Sequence, residues 1–148
     1  MKIYFAGPLF TLAEKRFNQD LADAITRQMP ESEIILPQND AKNFDPTEED
    51  FFRKIFSSCI GSVNQCDIVL AILDGSDSDS GTCIEMGYAY ATGKPIIGLR
   101  TDFRSLEENG VNLMVSNVCS SYVLETSIDD TSQLASKVIN QIKAIVIL

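Results

Sequence analysis

Six apolar residues in succession, Ile68-Val69-Leu70-Ala71-Ile72-Leu73, stand between Asp67 and the acidic stretch Asp74-Gly75-Ser76-Asp77-Ser78-Asp79. A strand with one wet face alternates apolar and polar residues, whereas a run without alternation is covered on both faces, as in a parallel sheet. Parallel neighbours need crossover connections, usually helices. This run therefore demands an α/β chain with helices on both sides of a sheet. A chain of 148 residues fits a single domain spanning 1–148 with a sizeable core of its own.

The other segments supply the partners. Lys2-Ile3-Tyr4-Phe5-Ala6 reads as a first strand ended by Gly7-Pro8. From Thr11 or Leu12 to Met29, Leu12, Phe17, Leu21, Ala24 and Ile25 recur at helical spacing until Pro30. Ile34-Ile35-Leu36 is a brief strand closed by Pro37, with Gln38-Asn39-Asp40 expected as a loop. Asp45-Pro46-Thr47-Glu48-Glu49 has the residues of a helix start, and that helix runs to Gln65. A helix after the acidic loop, a strand over Pro95–Leu99, a long loop from Arg100 to Val118, a strand over Ser121–Leu124 and a helix from Asp129 to Leu148 complete the series. The long loop carries Asn109-Gly110 and Asn112-Leu113-Met114, and loops of that length usually serve function or a partner.

The expected fold is a doubly wound, five-stranded parallel sheet of flavodoxin-like, Rossmann-like type with strand order 2-1-3-4-5. Ligands of such sheets bind beyond the carboxyl ends of the strands, at the switch between strands one and three. The segments that arrive there are Gly7–Leu9, Gln38–Asp40 and Asp74–Gly81. Gly7, Gln38, Asp40, Asp74 and Gly81 are accordingly candidates for substrate contact, with Gly7 read as clearing backbone space for a ligand.

Composition narrows the chemistry. Twelve basic against twenty-one acidic residues give a net charge of −9, with the cations scattered singly, which disfavours nucleic-acid polymers and anionic membranes. The absence of histidine removes the commonest metal ligand and the commonest acid/base group. Neither GxxxxGK[ST] nor GxGxxG occurs, so the expectation is an enzyme without metal or cofactor acting on a small molecule. Cys59, Cys66, Cys83 and Cys119 lack metal-site spacing and read as reduced, mostly buried thiols. With no leader pattern or long apolar run, the expected location is the cytoplasm.

Asp79 and Glu85 are six residues apart across the start of the helix that follows the acidic loop. Thr82-Cys83-Ile84-Glu85 fits a capping box, in which Glu85 serves the helix end. Alternatively the helix dipole keeps Glu85 ionised, as a carboxylate nucleophile requires. Asp74 and Asp77 fit turn roles, while Asp79 directly precedes Ser80-Gly81 and faces the presumed ligand. Tyr4 is either a half-buried core residue or, pointed towards the strand's carboxyl end, a hydroxyl that orients Glu85. Tyr88 and Tyr90 read as packing residues.

Tyr4-Phe5-Ala6-Gly7-Pro8, Cys66-Asp67 with its apolar run and Leu73-Asp74-Gly75, Asp79-Ser80-Gly81-Thr82 with Glu85-Met86-Gly87-Tyr88-Ala89, Gly93-Lys94-Pro95 and Asn112-Leu113-Met114 together resemble the nucleoside 2-deoxyribosyltransferase family. The likeness runs from about Ile3 to Met114. It implies transfer of a 2-deoxyribosyl group between nucleobases, with Glu85 as nucleophile at C1′, Tyr4 positioning it and Asp79 holding the 5′-hydroxyl. It further implies a homo-oligomer in which Asn112 and Met114 reach a neighbouring subunit's site. A cluster of Phe51, Phe52 and Phe56 suits such assembly, and otherwise reads as internal core.

Many members of that family carry Asp or Asn eight residues before the position of Asp67, where this chain has Cys59. Asp40, Asp67, Asp74 or a water is left to protonate the departing base. Two alternatives follow. One is N-glycosidic hydrolysis of deoxynucleosides or their 5′-monophosphates, disfavoured for the phosphates because Asp79 would repel them. The other is a catalytically silent nucleoside-binding module.

Overall fold

The structure, a computed structural model, describes residues 1–104 and 110–146. Its one sheet has five parallel strands in the order β2-β1-β3-β4-β5: β1 (Lys2–Ala6), β2 (Glu33–Ile35), β3 (Ile68–Ile72), β4 (Ile96–Arg100) and β5 (Ser121–Leu124). The order and parallel sense are those expected from the sequence. Every residue of β3 is buried, and its register sets Val69 between Tyr4 and Ile96. The unbroken apolar run is thus the inner strand that its lack of alternation requires.

Among the described residues six α-helices flank the sheet: α1 (Leu12–Gln28), α2 (Pro37–Asp40), α3 (Phe51–Gln65), α4 (Ser80–Ala91), α5 (Leu113–Asn117) and, after the last strand, α6 (Thr131–Val146). Side chains along β1 alternate between faces. Ile3 and Phe5 join Leu21, Ile25, Val138 and Ile139 in the layer under α1 and α6. Tyr4 and Ala6 join Val63, Val69, Leu73 and Met86 in the layer under α3 and α4. The pleat therefore sends Tyr4 to the two helices that carry Cys59 and Glu85.

Local chemistry corrects several expected boundaries. Gln38, Asn39 and Asp40 are not a loop but the turn of α2, with Pro37 at its first position, followed by a 3-10 turn over Ala41–Asn43. Proline suits a first helical position because the N–H it lacks would be unpaired there. The helix expected from Asp45 begins only at Phe51, because Asp45 Oδ1 accepts from the backbone N–H of Thr47 at 2.9 Å and closes a local turn. The long segment after β4 contains the short helix α5. Of the Asn109-Gly110 pair only Gly110 falls within the described residues, as does the last helix only to Val146.

Burial departs from expectation at the cysteines and at Tyr90, and it decides between the two readings of the phenylalanine cluster. Among the cysteines Cys66 alone is buried, the others being partly exposed. Tyr90 is exposed rather than packed, and Phe52 and Phe56 are exposed on α3, so they are not internal core. At α1 the chain forms a capping box that the sequence reading did not single out: Glu14 N–H donates to Thr11 Oγ1, and Glu14 accepts from the Thr11 N–H. No helix among the described residues is long and apolar enough to cross a membrane.

Candidate active site

Tyr4 is fully buried, and its hydroxyl donates a hydrogen bond of 2.7 Å to Glu85 Oε1. Burial raises Glu85 to about 7, and the charge of Asp79 adds to the rise, while the Tyr4 hydrogen bond opposes it. The expectation that the helix start keeps Glu85 fully ionised is therefore corrected: desolvation outweighs the dipole, and Glu85 is poised to titrate near neutrality. Tyr4 is itself pushed up, first by burial and then by Glu85, so it remains a neutral donor.

The start of α4 explains why the dipole is weak at Glu85. The cap is Asp79, whose Oδ2 accepts from the Thr82 N–H at 2.8 Å and from Thr82 Oγ1 at 3.0 Å. Thr82 occupies the third helical position, so the expected Thr82/Glu85 capping box does not form, and Glu85 lies in the second turn. The dipole's influence fades beyond the first turn. A Cβ at Gly81 would lie 3.1 Å from Asp79 Oδ2; glycine there lets the carboxylate fold back onto the helix.

The remaining candidates separate into groups. Asp40 lines a small cavity with Tyr4, Phe44, Ile55, Cys59 and Ser62. The Cys59 thiol in that wall is pushed up, chiefly by burial. At Gly7 a Cβ would meet Ile72 side-chain atoms at 3.1 Å, so close packing against β3 also favours glycine there. Gln38 is tied to α1: its Nε2 donates to the Lys15 carbonyl at 2.9 Å, and its Oε1 accepts from Asn18 Nδ2 at 3.3 Å.

Asp74 turns towards β4, where its carboxylate accepts from the N–H groups of Thr101 and Asp102 and from the Thr101 hydroxyl. Asn112 caps α5, accepting from the Met114 N–H at 2.9 Å, and both residues are exposed.

Two residues that organise these loops were not anticipated. Asn18 is 3% exposed and donates to the Pro8 carbonyl at 2.9 Å, joining the turn after β1 to Gln38. A signal was available, since Asn18 occupies the apolar stripe of α1 at helical spacing from Leu21, Ala22 and Ile25. Arg100, 1% exposed at the end of β4, donates to the carbonyls of Leu73, Gly75 and Arg104. A guanidinium closing an otherwise apolar strand was the corresponding signal. Two buried polar atoms lack partners among the described residues, Ser78 Oγ and Arg100 Nε.

The model of the family described as nucleoside 2-deoxyribosyltransferase matches residues 3–134. An uncharacterized protein of Ureaplasma parvum is 35% identical over 122 residues, which cover 70% of this chain and 72% of that protein. A conserved protein of Enterococcus faecalis superposes with a TM-score of 0.78 at 27% identity, covering 95% of this chain and 98% of its own. The 2-deoxyribosyltransferase of Bacillus psychrosaccharolyticus shares the fold, with a TM-score of 0.70 at 22% identity over 91% of this chain and 90% of that one. The chain belongs to the nucleoside 2-deoxyribosyltransferase family.

Proposed function

We propose that this member of the family transfers a 2-deoxyribosyl group from one nucleobase to another through a glycosyl ester on Glu85. The observation that carries the reading is the 2.7 Å contact between Glu85 Oε1 and the hydroxyl of Tyr4, a residue that also lines the cavity with Asp40. One carboxylate oxygen is held by a neutral donor. The described hydrogen bonds leave Oε2 unengaged, so it can approach C1′. A sugar lacking the 2-hydroxyl tolerates positive charge at C1′, and a carboxylate can capture such a centre as a covalent ester. Attack by a second base then restores the original configuration.

Asp79 is assigned to the 5′-hydroxyl of the sugar. Its Oδ2 is committed to the helix cap, and Oδ1 has no partner among the described residues. Ser78, the preceding residue, has a buried Oγ without a partner among the described residues. Asn112, the cap of α5, and Met114 in its first turn, both exposed, are assigned to a neighbouring subunit's site, with the exposed Phe52 and Phe56 contributing to assembly. The nucleoside and the nucleobase are the partners in this reading, and the chain works as one domain.

The test is base exchange. Incubation with deoxyinosine and free adenine should yield deoxyadenosine, and Glu85→Ala should abolish it. If the wild-type protein neither exchanges bases nor releases free base, and Glu85→Ala behaves identically, the reading fails. Release of free deoxyribose without any dependence on acceptor would instead assign hydrolysis to the same residues. A strong preference for the 5′-monophosphate would overturn the role given to Asp79. Stabilisation by nucleosides without turnover would point to a binding module.

A further inference from the structure

The corner around Glu85 supplies a nucleophile but no evident proton for the departing base, and the position eight residues before Asp67 holds Cys59. The three aspartates that the sequence offers for this task separate cleanly in space. Asp67 accepts from the backbone N–H of Lys2 at 2.7 Å, at the amino-terminal ends of β1 and β3 and hence at the opposite end of the strands. Asp74 is consumed by Thr101 and Asp102. Asp40 lines the cavity that Tyr4 and Cys59 also line, and its carboxylate has no hydrogen-bond or ion-pair partner among the described residues. It is close enough to Cys59 for its charge to help lift the thiol. Tyr4, which lines the same cavity, holds Glu85 through its hydroxyl, so Asp40 shares a wall with the residue that binds the nucleophile.

We propose that Asp40, on the short helix after β2, is the catalytic group that gives a proton to the departing nucleobase and recovers one from the arriving base. This rests on the assignment of Glu85 as nucleophile. In the first half-reaction the C1′–N bond breaks and its electron pair goes to the base. A Glu85 oxygen bonds C1′, and the Asp40 carboxyl hands its proton to a ring nitrogen of the base. In the second half-reaction the incoming base loses its N–H proton to the Asp40 carboxylate, its nitrogen bonds C1′, and Glu85 departs as a carboxylate. Proton and electron pair both return to their starting places over one exchange. Cys59 then shapes the cavity wall without moving a proton, in keeping with a thiol made harder to ionise by burial.

The experiment compares two leaving groups in single-turnover base release by wild type, Asp40→Asn and Cys59→Ala. Deoxyadenosine needs a proton to release adenine, whereas 7-methyl-2′-deoxyguanosine already carries a positive ring and departs without one. Asp40→Asn should lose on the order of a hundredfold or more with deoxyadenosine, the usual size of a general-acid contribution, and no more than about fivefold with the methylated substrate, where that contribution is not needed. Cys59→Ala should keep the wild-type ratio between the two substrates. Thermal melting of Asp40→Asn checks that the fold persists. Equal losses on both substrates, or none on either, would overturn the assignment, as would a changed ratio confined to Cys59→Ala. If wild type releases base from neither substrate, the glycosyl-transfer reading itself fails and this assignment falls with it.

Discussion

The hydroxyl of Tyr4 and the carboxylate of Glu85, 81 positions apart in the chain, meet at 2.7 Å, and this bond opposes the burial that lifts Glu85 to about 7. Strand pleat and helix phase are both needed for the meeting. Tyr4 must fall on the α3/α4 side of β1, and Glu85 must fall in the second turn of α4.

Removing the donor should therefore move the titration upward. A hydrogen bond to a charged group is worth about 1.5–3 kcal/mol, or roughly one to two pH units at 1.36 kcal/mol each. In Tyr4→Phe the acidic limb of kcat/KM for base exchange should shift from near pH 7 to about pH 8 or above, with reduced activity at neutrality. A pH–rate profile superimposable on the wild type would show that the bond does not tune Glu85.

Glu85 should cost stability at alkaline pH. Its folded value of about 7 lies above the ordinary 4.5, so the folded state binds the proton more tightly than the unfolded state does. Its favourable contribution is complete below about pH 4.5 and is lost as pH rises through about 7. Glu85→Gln should then be more stable than wild type at pH 8 by up to about 3 kcal/mol, and the difference should vanish near pH 4. Thermal melting at the two pH values checks both sign and window. A gap that widens on acidification would contradict the assignment.

Asp79 has a structural and a proposed substrate role, and two substitutions separate them. Asp79→Ala removes the cap of α4 and should cost about 1 kcal/mol, whereas Asp79→Asn can still accept from Thr82 and should cost a few tenths. Both remove the charge that helps raise Glu85, so in both the Glu85 titration should move to lower pH. Chemical denaturation combined with a pH–rate profile distinguishes these effects.

Arg100 should be expensive to replace. Arg100→Met strips donors from the carbonyls of Leu73, Gly75 and Arg104, and unsatisfied buried acceptors cost about 1–3 kcal/mol each. A loss on the order of 3 kcal/mol is expected, together with faster amide hydrogen exchange in the loop between β3 and α4. Denaturant titration and exchange mass spectrometry measure the two.

The sheet was legible because its signals are local and redundant. β3 has no alternation to misread, and β1 ends where Gly7-Pro8 forces it to end. The helix starts were less so. Asp45-Pro46 and Thr82-x-x-Glu85 each satisfy the rules for a start, yet Asp45 turns onto its own neighbour Thr47 and Asp79 captures the cap three residues ahead of Thr82. Local pattern offers competing caps and does not rank them. Glu85 and Asp79 could be picked out, but the electrostatic state of Glu85 could not, because its burial depends on segments far away in sequence. The partition among Asp40, Asp67 and Asp74 likewise depends on which end of which strand each occupies.

The ends of β3 and β4 exchange ions in both directions. Asp74 leaves β3 to hold amides beyond β4, while Arg100 leaves β4 to hold carbonyls beyond β3. Such a reciprocal latch cannot be opened from one side, since displacing either loop orphans groups on both. The chain entering Asn112 closes on the same guanidinium, since a Cβ at Gly110 would lie 2.7 Å from Arg100 Nε, so this one side chain is packed against three separate stretches of the chain.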